Sequence, residues 1–138
     1  MTNISTIDDD ENLIHTKTIF RRHSKGPVMF NGCSPSGDVI IIDNISATKQ
    51  YDLTGWYIER TIDGHRIHYT FPMFELGPHA VVRVYGNYHR RSSSSTDDYH
   101  LQLIAPNFYD WGNGRHMRTE LFNREDVGKA FFEQTIRD

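Results

Sequence analysis

The stretch Gly55-Trp56-Tyr57-Ile58-Glu59-Arg60-Thr61-Ile62-Asp63-Gly64-His65-Arg66-Ile67-His68-Tyr69-Thr70-Phe71 alternates large and polar side chains on both sides of a single dipeptide. Residues two apart on a strand share a face, so Trp56, Ile58 and Arg60 fall on one side of a first strand, while Ile67, Tyr69 and Phe71 fall on one side of a second. Asp63-Gly64 supplies what a two-residue hairpin turn needs, because positive φ costs little there. The spacing predicts two antiparallel strands, near 55–61 and 65–71, each with an apolar face.

The same grammar runs through the rest of the chain. Strands are predicted near 27–33, 38–43, 79–85, 99–104, 116–122 and 129–135, with turns at Pro35-Ser36-Gly37 and Gly77-Pro78. Val82 and Val84 face one way and Val81, Arg83 and Tyr85 the other; Met117, Thr119 and Leu121 alternate with Arg118, Glu120 and Phe122. Val39 to Ile42 is apolar on both faces, so the side turned from the core meets solvent or a partner. Val127, Ala130, Phe131 and Gln134 approach helical spacing, but Asn123-Arg124-Glu125-Asp126 reads as a hairpin loop leading into a strand. Eight short strands between turn signals describe an all-β sandwich spanning residues 27–138. Residues 1–26 hold an acidic cluster, Asp8-Asp9-Asp10-Glu11, and Arg21-Arg22 with only scattered apolar residues, and are expected to form a disordered or loosely attached arm. Leu13, Ile14, Ile19 and Phe20 do not sustain a heptad, and the serine-rich connection 86–98 is expected to be mobile.

The chain's 138 residues suit one domain burying roughly two thirds of its unfolded surface. Its 15 basic and 18 acidic residues are interspersed, giving a formal charge of -3 and no basic stripe to follow a row of phosphates, so nucleic-acid binding is not expected. Cys33 is the only cysteine, which rules out an internal disulfide and a multi-thiolate zinc site, and favours a reducing compartment. No run approaches the ~18 apolar residues of a membrane span, and Met1-Thr2-Asn3-Ile4-Ser5 lacks a signal's apolar core, so a soluble intracellular protein is expected.

Residue types that could carry chemistry do not fall into catalytic patterns. His65 and His68, three apart on a strand, point to opposite faces, and neither metal nor cofactor is expected. Cys33, Ser34 and the serines at 92–95 lie outside any nucleophile elbow, and Gly112-Asn113-Gly114 lacks the third glycine and strand-to-helix setting of a phosphate cradle; no enzyme activity is expected. Ser24 and Ser93 each follow a pair of arginines after one residue, as in substrates of basic-directed kinases. Loop tyrosines Tyr85, Tyr88, Tyr99 and Tyr109 support an alternative, a glycan-binding sandwich, if several rings lie exposed around one groove. A metal-dependent hydrolase would require histidines and carboxylates gathered in one pocket.

The order of features is more specific than composition. Ser34 to Asn44, with its Pro-Ser-Gly turn, apolar strand and closing asparagine, looks like the opening of the lamin tail domain of intermediate-filament proteins. Asp52-Leu53-Thr54-Gly55-Trp56, then Tyr69-Thr70-Phe71-Pro72 and Leu76-Gly77-Pro78, are similar to the segments that follow in that family. Trp111-Gly112-Asn113-Gly114-Arg115-His116-Met117-Arg118-Thr119-Glu120-Leu121-Phe122-Asn123 resembles its run of Trp-Gly, Gly, Arg-Thr, Leu and Asn. The resemblance covers roughly residues 30 to 135 and marks Gly55, Trp56, Phe71, Pro72, Trp111, Gly112, Gly114, Arg118 and Thr119 as structural signature positions.

The resemblance implies an immunoglobulin-like sandwich of about eight to nine strands, without chemistry of its own, that binds other proteins such as intermediate-filament subunits or their associates. The C-terminus carries no prenylation cysteine, which places the expectation nearer the invertebrate cytoplasmic filament proteins, with the nucleus as the alternative location. Ile41, Tyr85 and Tyr88 are the expected protein-binding residues, Trp56 and Trp111 the expected core, and Arg118 is expected to pair or stack so as to hold the Trp111 turn.

Overall fold

A computed structural model describes residues 2–8, 15–33, 37–89 and 101–137. Among the described residues twelve strands run in chain order: β1 Thr2–Asp8, β2 His15–Ser24, β3 Val28–Cys33, β4 Val39–Asn44, β5 Tyr51–Asp52, β6 Tyr57–Ile62, β7 His65–Thr70, β8 Glu75–Leu76, β9 Val81–Tyr85, β10 Leu101–Ile104, β11 His116–Phe122 and β12 Gly128–Arg137. One 3₁₀ turn, Asn87–His89, follows β9, and there is no α-helix among the described residues. The strands form a six-stranded sheet in the order β1-β2-β12-β11-β6-β7, a four-stranded sheet in the order β10-β9-β4-β3, and the small pair β5-β8. The two large sheets enclose one core that includes Phe30, Ile40, Ile42, Ile58, Phe71, Val82, Val84, Trp111 and Leu121. This is an all-β sandwich, as the strand pattern predicts, and it is consistent with the immunoglobulin-like fold that the resemblance implies.

Each of the eight predicted strands is present within two or three residues of its predicted bounds. Asp63 and Gly64 both take positive φ, 46° and 89°, as their hairpin requires. The Asn123 side chain shapes the next hairpin: its Oδ1 accepts from Glu125 N and Val127 N, both at 2.9 Å, and β12 leaves it as a strand. The helical spacing near Val127 therefore comes from a strand whose two faces are both partly covered. Asn44, almost fully buried, donates its amide to Lys49 O (2.8 Å) and Gly77 O (2.9 Å) and accepts from Ser46 N (3.0 Å). These bonds close the long loop after β4 over the core.

Within the first 26 residues, the described segments Thr2–Asp8 and His15–Ser24 depart from expectation, while the Asp9-Asp10-Glu11 part of the acidic cluster lies outside the described residues. Instead of forming a loose arm, β2 pairs continuously with β12, from Ala130↔Ser24 to Arg137↔Lys17, and β1 pairs with β2. Ladder hydrogen bonds and the Phe20 ring, stacked 6.0 Å from Phe132, offset the ordering cost. No local pattern could show this, because the partner strand lies more than a hundred residues away. The Pro35-Ser36 turn, most of the 86–98 connection, Ser93 and Tyr99 fall outside the described residues.

Candidate protein-docking surface

The scaffold for any surface is the loop that carries Trp111. Its ring is fully buried, its indole Nε1 donates to Val84 O at 2.8 Å, and its backbone N donates to Gly37 O at 2.7 Å, so both bonds fasten it to β9 and to the approach to β4, on the four-stranded-sheet side. Gly37 and Gly112 have φ of +80° each, and a Cβ on Gly37 would sit 2.7 Å from Gly112 O, so both glycines are required by conformation and by close approach. Gly114 presses on the carboxylate of Asp63, which accepts from Arg115 N (3.1 Å) and His116 N (2.9 Å). The loop is thereby fastened to the Asp63-Gly64 hairpin.

The group holding this turn is Arg60, 2% exposed. Its Nε donates to Trp111 O (2.9 Å), its Nη2 to Gly112 O (2.9 Å) and its Nη1 to Thr119 Oγ1 (2.8 Å). Arg118, expected to do this, points to the opposite face of β11, where it lies 4.2 Å from the Phe131 ring centroid and within 3.5 Å of Glu120. Strand parity decides the matter: Thr119 is inward, so Arg118 is outward. Alternation put Arg60 on the core face, yet nothing local announced that a buried guanidinium would satisfy two carbonyls of a distant loop. Of the other signature residues, Phe71 is buried and Pro72 exposed; Gly55, φ +82°, packs against Arg124 and Trp56 is partly buried.

Two outer faces remain for recognition. On the four-stranded sheet Val39, Ile41 and Asp43 face outward from β4, beside Val81, Arg83 and Tyr85 of β9. Ile104 of β10 pairs with Tyr85, so Ile104, Tyr85 and Val39 form one apolar row, and Ile41 lies beside Arg83 in the next. On the six-stranded sheet the outward rings of His68, Tyr57 and Phe122 stack at 4.9 Å spacings, and Glu133 receives Arg21 (2.9 Å) and Arg118 (3.8 Å). The Tyr57 hydroxyl donates to Asp126 at 2.7 Å, and this bond, with partial burial and nearby carboxylates, pushes its pKa up to about 12. Ser24 ends β2, partly buried, its hydroxyl donating to Gly26 O at 3.1 Å, which is a strand position and not a mobile segment.

Tyr88 and Tyr109 are 53% and 64% exposed, with ring centroids 5.1 Å apart and planes tilted by 52°, beside a depression of about 210 Å³ lined also by Asp38 and Asp110. Tyr85 belongs instead to the sheet's outer row. Among the described residues no three histidine, cysteine, aspartate or glutamate side chains gather where one ion could be held.

Comparison with known sequences bears on the whole sandwich. Ifb-2, an intermediate filament protein of Caenorhabditis elegans, is 30% identical over 91% of this chain, and intermediate filament protein A of Ascaris suum is 29% identical over 92%. The chain is related to invertebrate intermediate filament proteins. A 70 kDa neurofilament protein of the squid Doryteuthis pealeii matches at 29% over 86% of the chain. The chain spans 23%, 26% and 18% of these relatives' lengths, so the likeness is to one segment of a much longer filament protein, as for a tail-like domain. No family model matches the chain.

Proposed function

We propose that this filament-type domain is a non-enzymatic docking module that attaches to intermediate-filament subunits or to proteins associated with them, in the cytoplasmic cytoskeleton. The observation that carries the reading is the likeness of nearly the entire sandwich to segments of filament proteins from nematodes and squid. The outer face of the four-stranded sheet suits the role: Ile104, Tyr85, Val39 and Ile41 form adjoining apolar rows beside the charged Arg83. A few apolar anchors with a polar rim are what protein recognition uses.

The test is co-sedimentation of the 138-residue chain with filaments reassembled from a purified nematode intermediate filament protein. Ile41→Lys should keep the parent's circular dichroism and melting profile while losing most of the pelleted fraction. Equal pelleting of parent and variant would place attachment elsewhere, and absence of pelleting by the parent would refute filament attachment.

A second reading is glycan binding at Tyr88 and Tyr109, favoured by two exposed rings and two carboxylates bordering one depression. Saturable tyrosine-fluorescence changes with neutral oligosaccharides, abolished by Tyr109→Ala, would support it; a flat response would sink it.

A further inference from the structure

A different surface, at the end of the sandwich where β2 turns into β3, carries its own chemistry. Two depressions adjoin there, one of about 200 Å³ bordered by Tyr51, Trp56, Pro27 and Val28, the other of about 300 Å³ bordered by Arg118, Glu120, His23 and Phe131. Lys25 and Lys129 line both. Their backbones are joined by Lys25 N donating to Lys129 O at 2.9 Å, so the two residues stand side by side where the hollows adjoin.

The charge of this surface runs against that of the chain. Lys25, Lys129, Arg118 and Glu120 line the two hollows, in a protein whose formal charge is -3; Arg118 is balanced by Glu120 at 3.5 Å and Glu133 at 3.8 Å, so the local excess of positive charge is that of Lys25 and Lys129. Lys49 adds a further cation, 5.5 Å from the centroid of the Tyr51 ring. Neither Lys25 nor Lys129 is in an ion pair among the described residues. Trp56 also stands apart from Trp111: it packs on the core yet keeps part of its ring open to the first hollow. Aromatic walls with an apolar floor take a large side chain, and cations on the rim take carboxylates.

We propose that this cleft binds an acidic peptide segment carrying one large apolar or aromatic residue, the ring entering beside Trp56 and Tyr51 and flanking carboxylates meeting Lys25 and Lys129. Charge complementarity selects the occupant. A cationic strand would meet the like charges of Lys25 and Lys129, and a neutral apolar one would leave them without counter-charge.

The test uses the full chain and a fluorophore-labelled synthetic peptide, Glu-Glu-Phe-Glu-Glu, followed by anisotropy. Saturable binding should weaken by about tenfold or more in the Lys25→Glu, Lys129→Glu double variant and on raising salt from about 50 to about 500 mM, because both remove exposed charge interactions. Unlabelled peptide should change tryptophan emission in the parent but not in Trp56→Phe, since Trp111 is sealed in the core; the circular dichroism of each variant controls for folding. The proposal is overturned if Gln-Gln-Phe-Gln-Gln binds equally well, if the double variant binds as the parent does, or if the acidic peptide fails to saturate at about millimolar concentration, which corresponds to only about -4 kcal/mol.

Discussion

Replacing Arg60 with methionine tests the central structural assignment. The side chain keeps roughly its length and apolar stem but removes the donors to Trp111 O, Gly112 O and Thr119 Oγ1. A buried acceptor stripped of its partner costs about 1–3 kcal/mol, so two carbonyls and a hydroxyl set a gross loss of about 3–9 kcal/mol. Part is returned because a buried guanidinium no longer has to be desolvated, leaving a net loss of about 3 kcal/mol. Against a total stability of about 5–15 kcal/mol this is large, and with an m-value of about 1–3 kcal/mol/M it moves the urea midpoint down by about 1–3 M. The assay is equilibrium urea unfolding followed by tryptophan emission, where Trp111 reports directly on the loop. Arg60→Lys should lose most of the same stability, since a point ammonium cannot span the acceptors that the planar fork reaches. Arg118→Ala should cost under about 1 kcal/mol, the range of exposed ion pairs and cation–π contacts. The reasoning is refuted if Arg60→Met costs less than about 1 kcal/mol, or less than Arg118→Ala.

Trp111→Phe should lose about 3 kcal/mol through the cavity left by the smaller ring and the orphaned Val84 carbonyl, read as a lower urea midpoint with unchanged slope. Gly37→Ala should destabilise by about 2–4 kcal/mol, because φ +80° disfavours any side chain and the new methyl would meet Gly112 O; a melting temperature equal to the parent's would contradict the close approach. Alkali should unfold the protein early. Tyr57, through its bond to Asp126, and Tyr69, through burial, both have pKa values raised to about 12, so at neutral pH their phenols are protonated in both states and their native interactions are intact. Above the ordinary tyrosine value of about 10 the unfolded chain ionises first, and stability falls as pH rises through about 12. Thermal melts at pH 9 and 11 with absorbance at 295 nm check this, and equal melting temperatures would contradict it.

Most of the sandwich was legible because period-two alternation is local and the Asp63-Gly64 and Asn123 turns announce themselves. Inward placement of Ile58, Tyr69, Val82, Val84 and Leu121 follows from parity alone. What escaped depends on pairings distant in sequence. The partner of β2 is the last strand, and the acceptors of Arg60 lie about fifty residues onward. Arg118 was misjudged for a related reason: adjacency to Thr119 and the Trp111 loop suggested contact, while alternation sends neighbours to opposite faces. The outer row of Ile41, Tyr85 and Ile104 was partly legible, since Val39 to Ile42 is apolar on both sides, but the parallel pairing that brings Ile104 beside Tyr85 is not written in either segment. The Lys25–Lys129 cleft escaped for the same reason: its residues come from four separate segments.

The position of β12, between β2 and β11, also governs the order in which the protein can be completed during synthesis. At about 5–20 residues per second the ribosome needs about 1–3 seconds to add the segment from Asn123 to Arg137 after β11 is made. During that interval β1 and β2 have no strand to join, and β2 and β11 both present unpaired backbone. Arrival of β12 closes two edges at once. Chains stalled or truncated just before Gly128 should therefore be the aggregation-prone species.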